Sequence, residues 1–221
     1  MDLRTEQWDD SYGHKDNFVF YPHEEIIRFV SKYFKKRIGI EEFQIVKNAN
    51  KCLDLGCGIG RHVFYLDEYG FTPFGVDLSK VAIDIAKKWC IYKKKENLLN
   101  SFSVADATNL HYENSEFDFI VSHGVLDSMR FEIAQKVMSE AYRVLKPEGL
   151  MYIDLIAGEN DTEVIVECQH EKNTIQSFFT IKKINELING QFVIIENTLH
   201  HNKSLVNGGI NSRYHLILQR I

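Results

Sequence analysis

Two short stretches carry side chains whose types and spacing can hold a nucleoside. Cys52-Leu-Asp-Leu-Gly-Cys-Gly-Ile-Gly-Arg61 reads as an apolar strand, a glycine turn and the opening of a helix. Gly75-Val-Asp-Leu-Ser79 then sets a carboxylate at the end of the next strand. Glycines lack the Cβ atoms that keep a backbone away from a ligand, and a carboxylate such as Asp77 can accept from both hydroxyls of a ribose. The spacing also separates two cofactors. The dinucleotide fingerprint requires G-x-G-x-x-G, whereas the glycines here fall at 56, 58 and 60 and Arg61 takes the third fingerprint position. A large cation there opposes close helix–strand packing, which disfavours NAD. Farther on, Asp106 follows a strand, where its carboxylate can accept from an exocyclic amine. His123 follows Ser122 at the end of another strand, and an imidazole titrating near neutrality can take a proton from a hydroxyl, phenol or amine. Its structural alternative is a ring that bonds backbone and shapes a pocket.

These residues need a scaffold that brings strand ends together. The pattern predicts strands near 51–55, 72–77, 101–105, 117–122 and 150–156, alternating with helices from about 60, from Ser79 as N-cap, and from Asp127 or Ser128. Such alternation means a parallel sheet covered on both faces. A leading helix starts after Pro22, with Ile26, Ile27, Val30, Tyr33 and Phe34 at helical spacing and Lys35 to Arg37 in its last turn. Before it, Trp8 and Tyr12 suggest either core anchors or a lid over the site. Residues 157–180 read as an excursion with one alternating segment, 163–168. A helix near 181–189 and two strand-like runs, 192–199 and 212–220, joined by a loop with Asn207-Gly-Gly209, close the chain.

Composition narrows the function. The 221 residues, 44% apolar, fit a single domain, 1–221, with residues 1–40 as lid and leading helix. Lys plus Arg number 26 against 31 Asp plus Glu, which offers no broad field for a polyanion, so extended nucleic-acid binding is not expected. The clusters Lys93-Lys-Lys95 and Lys35-Lys-Arg37 read as solvated helix ends. Cys52, Cys57, Cys90 and Cys168 form neither a C-x-x-C pair nor a metal-ligand spacing with histidine, so neither a metal nor a disulfide framework is expected. No charged-then-apolar leader opens the chain, and no apolar run approaches the roughly 20 residues that span a bilayer. A cytoplasmic, reduced protein with no membrane contact is the expectation. His170, His200 and His201 fall in segments expected to overhang the site, and as isolated histidines carry no assignment.

At these motifs the chain resembles the class I S-adenosylmethionine-dependent methyltransferases. Their first motif reads like Asp54-Leu-Gly-Cys-Gly-Ile-Gly60 and their second like the acidic end of Gly75-Val-Asp77. The resemblance continues through Val104-Ala-Asp-Ala107, Phe117-Asp-Phe-Ile-Val-Ser122 and Arg143-Val-Leu-Lys-Pro-Glu-Gly149, with Glu148 where the family more often has glycine. It implies a Rossmann-like α/β fold with a seven-stranded, mostly parallel sheet in the order 3-2-1-4-5-7-6, closed by an antiparallel hairpin. The implied cofactor is S-adenosyl-L-methionine, with S-adenosyl-L-homocysteine as product. Its expected contacts are Asp54, Gly56, Cys57, Gly58, Asp77, Leu78, Asp106, Ala107, Ser122 and Tyr12, with His123 as the catalytic candidate. Tyr21-Pro-His-Glu-Glu25 and Thr174-Ile-Gln-Ser-Phe-Phe179 are similar to segments of small-molecule methyltransferases of bacterial carbohydrate and secondary-metabolite pathways. The expected acceptor is therefore a small molecule, an oxygen of a sugar or related metabolite. An RNA or protein acceptor, or a protein that binds the cofactor without turnover, are the alternatives.

Overall fold

The computed structural model describes residues 3–15, 17–167, 171–206 and 208–221. Seven strands, β1 (Lys51–Leu55), β2 (Thr72–Asp77), β3 (Phe102–Val104), β4 (Phe117–Ser122), β5 (Leu145–Ile156), β6 (Phe192–Lys203) and β7 (Ile210–Arg220), form the main sheet. Its order is 3-2-1-4-5-7-6, as the resemblance implies. The first five strands are parallel, and β7 inserts antiparallel between β5 and β6.

Burial on both faces explains the runs of adjacent apolar residues in β1 and β4, Cys52-Leu53 and Phe119-Ile-Val121. On one face Leu53, Leu55, Ile120 and Met151 meet Val137, Met138 and Ala141 of α5 (Phe131–Val144) and Ile184 and Leu187 of α6 (Ile181–Ile188). The opposite face takes α2 (Glu24–Tyr33) and α3 (Arg61–Glu68), where Phe29 and Phe34 pack on Phe119 and Tyr152. Val63 and Phe64 of α3 share a third cluster with Ile83 and Ala86 of α4 (Lys80–Tyr92) and Phe102 of β3. Parallel packing of this kind gathers the carboxyl ends of β1, β2 and β4 at one edge, where open α/β sheets bind their ligands.

The first residues form a helix, α1 (Leu3–Gly13), whose weakly amphipathic pattern gave no periodic signal. The leading helix stops earlier than its spacing suggests. Phe34 leaves helical geometry to enter the core, and Lys35–Arg37 pairs antiparallel with Phe43–Ile45 instead of finishing the helix. Lys35 then lies 4.6 Å over the Phe43 ring and donates to the Tyr69 carbonyl. Neither Asp127 nor Ser128 caps α5; its N-cap is Arg130, because the Asp127 carboxylate is engaged elsewhere. Glu148 sits at φ 59, the left-handed region that glycine enters at lowest cost, which accounts for the family's preference there. The excursion forms a two-stranded ribbon, Glu163–Ile165 with Ile175–Ser177. Cys52, Cys57 and Cys90 are buried free thiols, while Cys168, His170 and Asn207 lie outside the described residues.

Candidate active site

The turn after β1 depends on positive φ at Gly56 (72) and Gly58 (54). A Cβ on Gly56 would come within 2.4 Å of Val125, and one on Gly58 within 2.4 Å of the Tyr12 hydroxyl. The backbone is thus pressed against side chains that wall a cavity of 610 Å³, within the range of pockets that enclose small ligands.

Asp77 stands at the mouth of this turn. Its two oxygens accept from the backbone N–H of Gly58 and of Ser79, each at 2.8 Å, which fixes the carboxylate plane while leaving lone pairs toward the cavity. Burial pushes its pKa up to about 6 against the pull of those two hydrogen bonds. Asp106 lines the cavity from the loop after β3. Burial acts to raise its pKa, but the amide and hydroxyl of Thr108 and the Arg4 guanidinium hold it below the usual carboxylate range.

α1 crosses this edge as a roof. Arg4 donates to Asp106 at 2.6 Å, Asp9 accepts from the Ser79 hydroxyl at 2.6 Å and the Val81 amide at 3.1 Å, and Gln7 donates to the Asn173 carbonyl at 2.8 Å. Trp8 and Tyr12 line the cavity from the same helix. Burial next to Asp77 pushes the Tyr12 phenol well up, so it remains a neutral donor.

His123 occupies the end of β4. Its Nδ1 lies 3.1 Å from Arg61 Nη2, which can only donate, so Nδ1 holds the lone pair and Nε2 carries the proton toward Asp154 Oδ2 at 3.5 Å. The ring is flanked by His23 at 4.0 Å and His62 at 5.9 Å between centroids. Burial, reinforced by the fields of His23, Arg61 and His62 against Asp154, brings its pKa down to about 3. The near-neutral titration expected from sequence therefore does not hold in this environment. Behind it, Arg213 donates to Asp154 at 2.8 Å and to Asp127 at 2.5 Å, an ion-pair network that fixes the β4 loop through Gly124 N–H to Asp154 at 2.7 Å.

Most of the sequence candidates converge. Gly56, Cys57, Gly58, Asp77, Leu78, Asp106, Ala107, Tyr12 and His123 all line the cavity. Asp54 and Ser122 sit behind the lining, buried. Asp54 Oδ1 meets His62 Nδ1 at 3.4 Å, while its Oδ2 is buried without a hydrogen-bond partner. An ammonium group near the glycine turn would satisfy that oxygen, so the residues present fit the amino-acid end of the cofactor. His200 and His201 lie elsewhere: His200 lines a second cavity with His215 and Tyr152, and His201 contacts Ser212 on the hairpin. Sequence reasoning gave no site role to Arg4, Asn173 or the apolar wall of Met129, Ile133, Ile165 and Ile175. His23, quoted only as part of the Tyr21–Glu25 segment, lies against the His123 ring.

A sequence profile for the family described as a methyltransferase domain matches residues 53–153, the span from β1 to β5 that builds this edge. Over this span the chain belongs to the class I S-adenosylmethionine-dependent methyltransferases. It is 32% identical over 104 residues to the 2-heptyl-1-hydroxyquinolin-4(1H)-one methyltransferase of Mycobacteroides abscessus, covering 47% of this chain and 44% of that protein. It is 30% identical over 153 residues to the tRNA N(3)-methylcytidine methyltransferase Mettl2 of Drosophila melanogaster, covering 65% and 45%. The matched stretches thus span less than half the length of either curated relative. Among solved structures, a methyltransferase from Methanosarcina mazei superposes with a TM-score of 0.67 at 21% identity, covering 79% of this chain and 94% of that one, a likeness of fold.

Residues 53–153 are accordingly a methyltransferase domain of the kind that uses S-adenosylmethionine. When bound, that cofactor supplies an electrophilic sulfonium methyl group. What such chemistry asks of the residues around it is to hold the reactants in line and keep water out. Among the described residues no helix is long and apolar enough to cross a membrane, and no group of histidine, cysteine or carboxylate side chains is arranged to hold a metal ion.

Proposed function

We propose that this methyltransferase acts on an oxygen of a small metabolite, a sugar or a related ring compound. The observation that carries the reading is the roofed cavity itself: α1 and the 163–177 ribbon meet through Gln7 and Asn173 above the sheet edge, leaving a chamber of 610 Å³. A chamber of that size takes the cofactor and a compact acceptor, whereas a polynucleotide needs an open groove with cations along it. Its outer wall of Trp8, Met129, Ile133, Ile165 and Ile175 offers apolar surface for the face of a ring.

In this reading Asp77 accepts from the ribose hydroxyls, Asp106 and the Ala107 N–H meet the adenine, Gly56 and Gly58 admit the methionine end, and Asp54 faces its ammonium. Tyr12 covers the turn. His123 stands at the end of β4 beside the proposed acceptor position; its Nδ1 lone pair accepts from Arg61, so it takes a hydroxyl proton when that guanidinium gives way to the acceptor, with Asp154 3.5 Å behind Nε2. Incubating the protein with methyl-labelled cofactor and a fractionated metabolite extract tests the reading. Label in a small polar or ring metabolite supports it; label only in tRNA supports the second reading, which the similarity to the Drosophila tRNA enzyme favours. Cofactor binding with no labelled product in either fraction indicates a binding protein without turnover.

A further inference from the structure

We propose that Asp154 and Asp127, acting through Arg213, are positioning residues for His123: two buried acids share one guanidinium, and the charge left over serves the imidazolium that forms when the ring takes the acceptor's proton. The inference rests on the proposed oxygen acceptor with His123 as its base, and extends that reading to groups behind the cavity wall.

Asp127 sits in the loop after β4 and Asp154 near the end of β5, each 1% exposed, and neither lines the cavity. Arg213 of β7 reaches between them, its Nη2 donating to Asp127 Oδ2 at 2.5 Å and its Nε to Asp154 Oδ2 at 2.8 Å. The Gly124 N–H donates to Asp154 Oδ1 at 2.7 Å and the Ile156 N–H to Asp127 Oδ2 at 3.1 Å. These amides fix both carboxylates but carry no net charge. Two anions on one cation leave the cluster one positive charge short, which is costly in a buried site unless another group completes it. His123 is placed to do so. Its Nε2 lies 3.5 Å from Asp154 Oδ2 and is buried without a hydrogen-bond partner.

On an oxygen acceptor, the new C–O bond forms as the S–C bond breaks with its electron pair on sulfur, and the hydroxyl proton passes to His123 Nδ1 once Arg61 has given way. Positive charge thus leaves the sulfonium and appears on the imidazolium beside Asp154. Burial opposes that protonation, as do the fields of His23 from the N-cap of α2 and of Arg61 and His62 from α3, whereas the field of Asp154 favours it. Asp154 in turn faces Arg213 and His215 of β7. Were Arg213 paired with Asp154 alone, its charge would cancel the favourable field; Asp127 divides the guanidinium, so Asp154 keeps charge for the ring. Burial pushes the Asp127 pKa up to about 7 against the pull of Arg213, so this help is present above neutrality and lost below it. The acid limb of turnover then belongs to Asp127, since the pKa of the ring itself is down at about 3.

The test measures the initial rate of label transfer from saturating methyl-labelled cofactor to the metabolite fraction that takes label, between about pH 5.5 and 9, beside thermal melts at about pH 8. Saturation keeps Asp77 and cofactor binding out of the profile. The wild-type rate should climb through about pH 7 by at least about tenfold to a plateau. Asp127→Asn should stay at the low, acid-side rate throughout, with a melting temperature equal to wild type or higher, because an uncompensated buried charge has been removed. Asp154→Asn should fall at least about 100-fold below the plateau. Asp127→Ser carries the same expectations as Asp127→Asn should the amide variant fail to fold. A flat wild-type profile, or a folded Asp127 variant that keeps the plateau rate or the acid limb, overturns the proposal. A loss of rate matched by a fall in melting temperature overturns it too, since that is the signature of structural support alone. If wild type labels no metabolite fraction at any pH, the acceptor reading on which the proposal stands is what fails.

Discussion

Arg4 and Asp106 are joined at 2.6 Å although 102 positions separate them in the chain, and this contact ties the roof helix to the loop after β3. The carboxylate it holds is the one proposed to meet the adenine, and on that proposal the position of α1 and cofactor recognition would share one group. Arg4→Ala should leave stability within about 1 kcal/mol, since the pair is partly solvated, yet speed S-adenosylhomocysteine dissociation by roughly tenfold. Stopped-flow displacement together with a thermal melt checks this, and an unchanged off-rate excludes a latch at this contact.

Removing residues 1–20 takes away Tyr12, Trp8, the Asp9 contacts with Ser79 and Val81, and the Gln7 bridge. Cofactor retention and turnover should fall far more than the melting temperature, because the clusters beneath the sheet do not include α1. Equal activity in the truncated protein would exclude a role for the roof.

Asp77 has its pKa pushed up to about 6, and with the proposed ribose contact this would couple ligand binding to pH. Its ionised form is destabilised by burial, so protonation stabilises the ligand-free fold as pH drops from above 6 toward the unfolded value near 4. Ribose hydroxyls need the ionised form as acceptor, so S-adenosylhomocysteine affinity should decline below about pH 6, and binding at pH 5.5 should release a proton. Calorimetry in buffers of different ionisation enthalpy reads that proton directly. Asp77→Asn should abolish the release and weaken binding by at least about tenfold.

His123 is buried neutral, with a pKa brought down to about 3. Its sign is opposite: the unfolded chain takes up a proton near pH 6.5 that the native ring refuses, so stability falls as pH drops below about 6.5. Burial lowers His23 and His215 as well, which adds to the same acid sensitivity. His123→Gln should flatten that slope in denaturant titrations. In catalysis, His123→Ala should lower kcat by roughly 100-fold with cofactor affinity nearly intact if the ring takes the proton. A rise in KM with kcat preserved would make it a wall of the acceptor site instead.

Arg213 bridges two fully buried carboxylates, Asp127 and Asp154. Arg213→Leu should cost about 3–5 kcal/mol, because two buried anions lose their counter-charge. Double substitution with Asp127→Asn should recover part of the loss; chemical denaturation of the four variants measures the coupling.

The chain's local chemistry was enough to place the sheet core. Glycines at 56 and 58 between a strand and a helix, then Asp77 and Asp106 at successive strand ends, mark one edge of the sheet and line one cavity there, because strand termini and turn conformations are set by residues a few positions apart. The alternation of strands and helices called for a parallel sheet, while its strand order came from the family resemblance. What the sequence could not show were partnerships across long separations. Asp127 looks like a helix cap until Arg213 arrives from β7, and His123 looks like a near-neutral base until burial, His23, His62 and Arg61 surround it. Arg4 likewise looks like a charge near the start of the chain until α1 folds over Asp106. Hydrogen-bond propensities and helix signals are local, whereas desolvation and charge pairing depend on everything that packs around a group, and only the tertiary structure decides what that is.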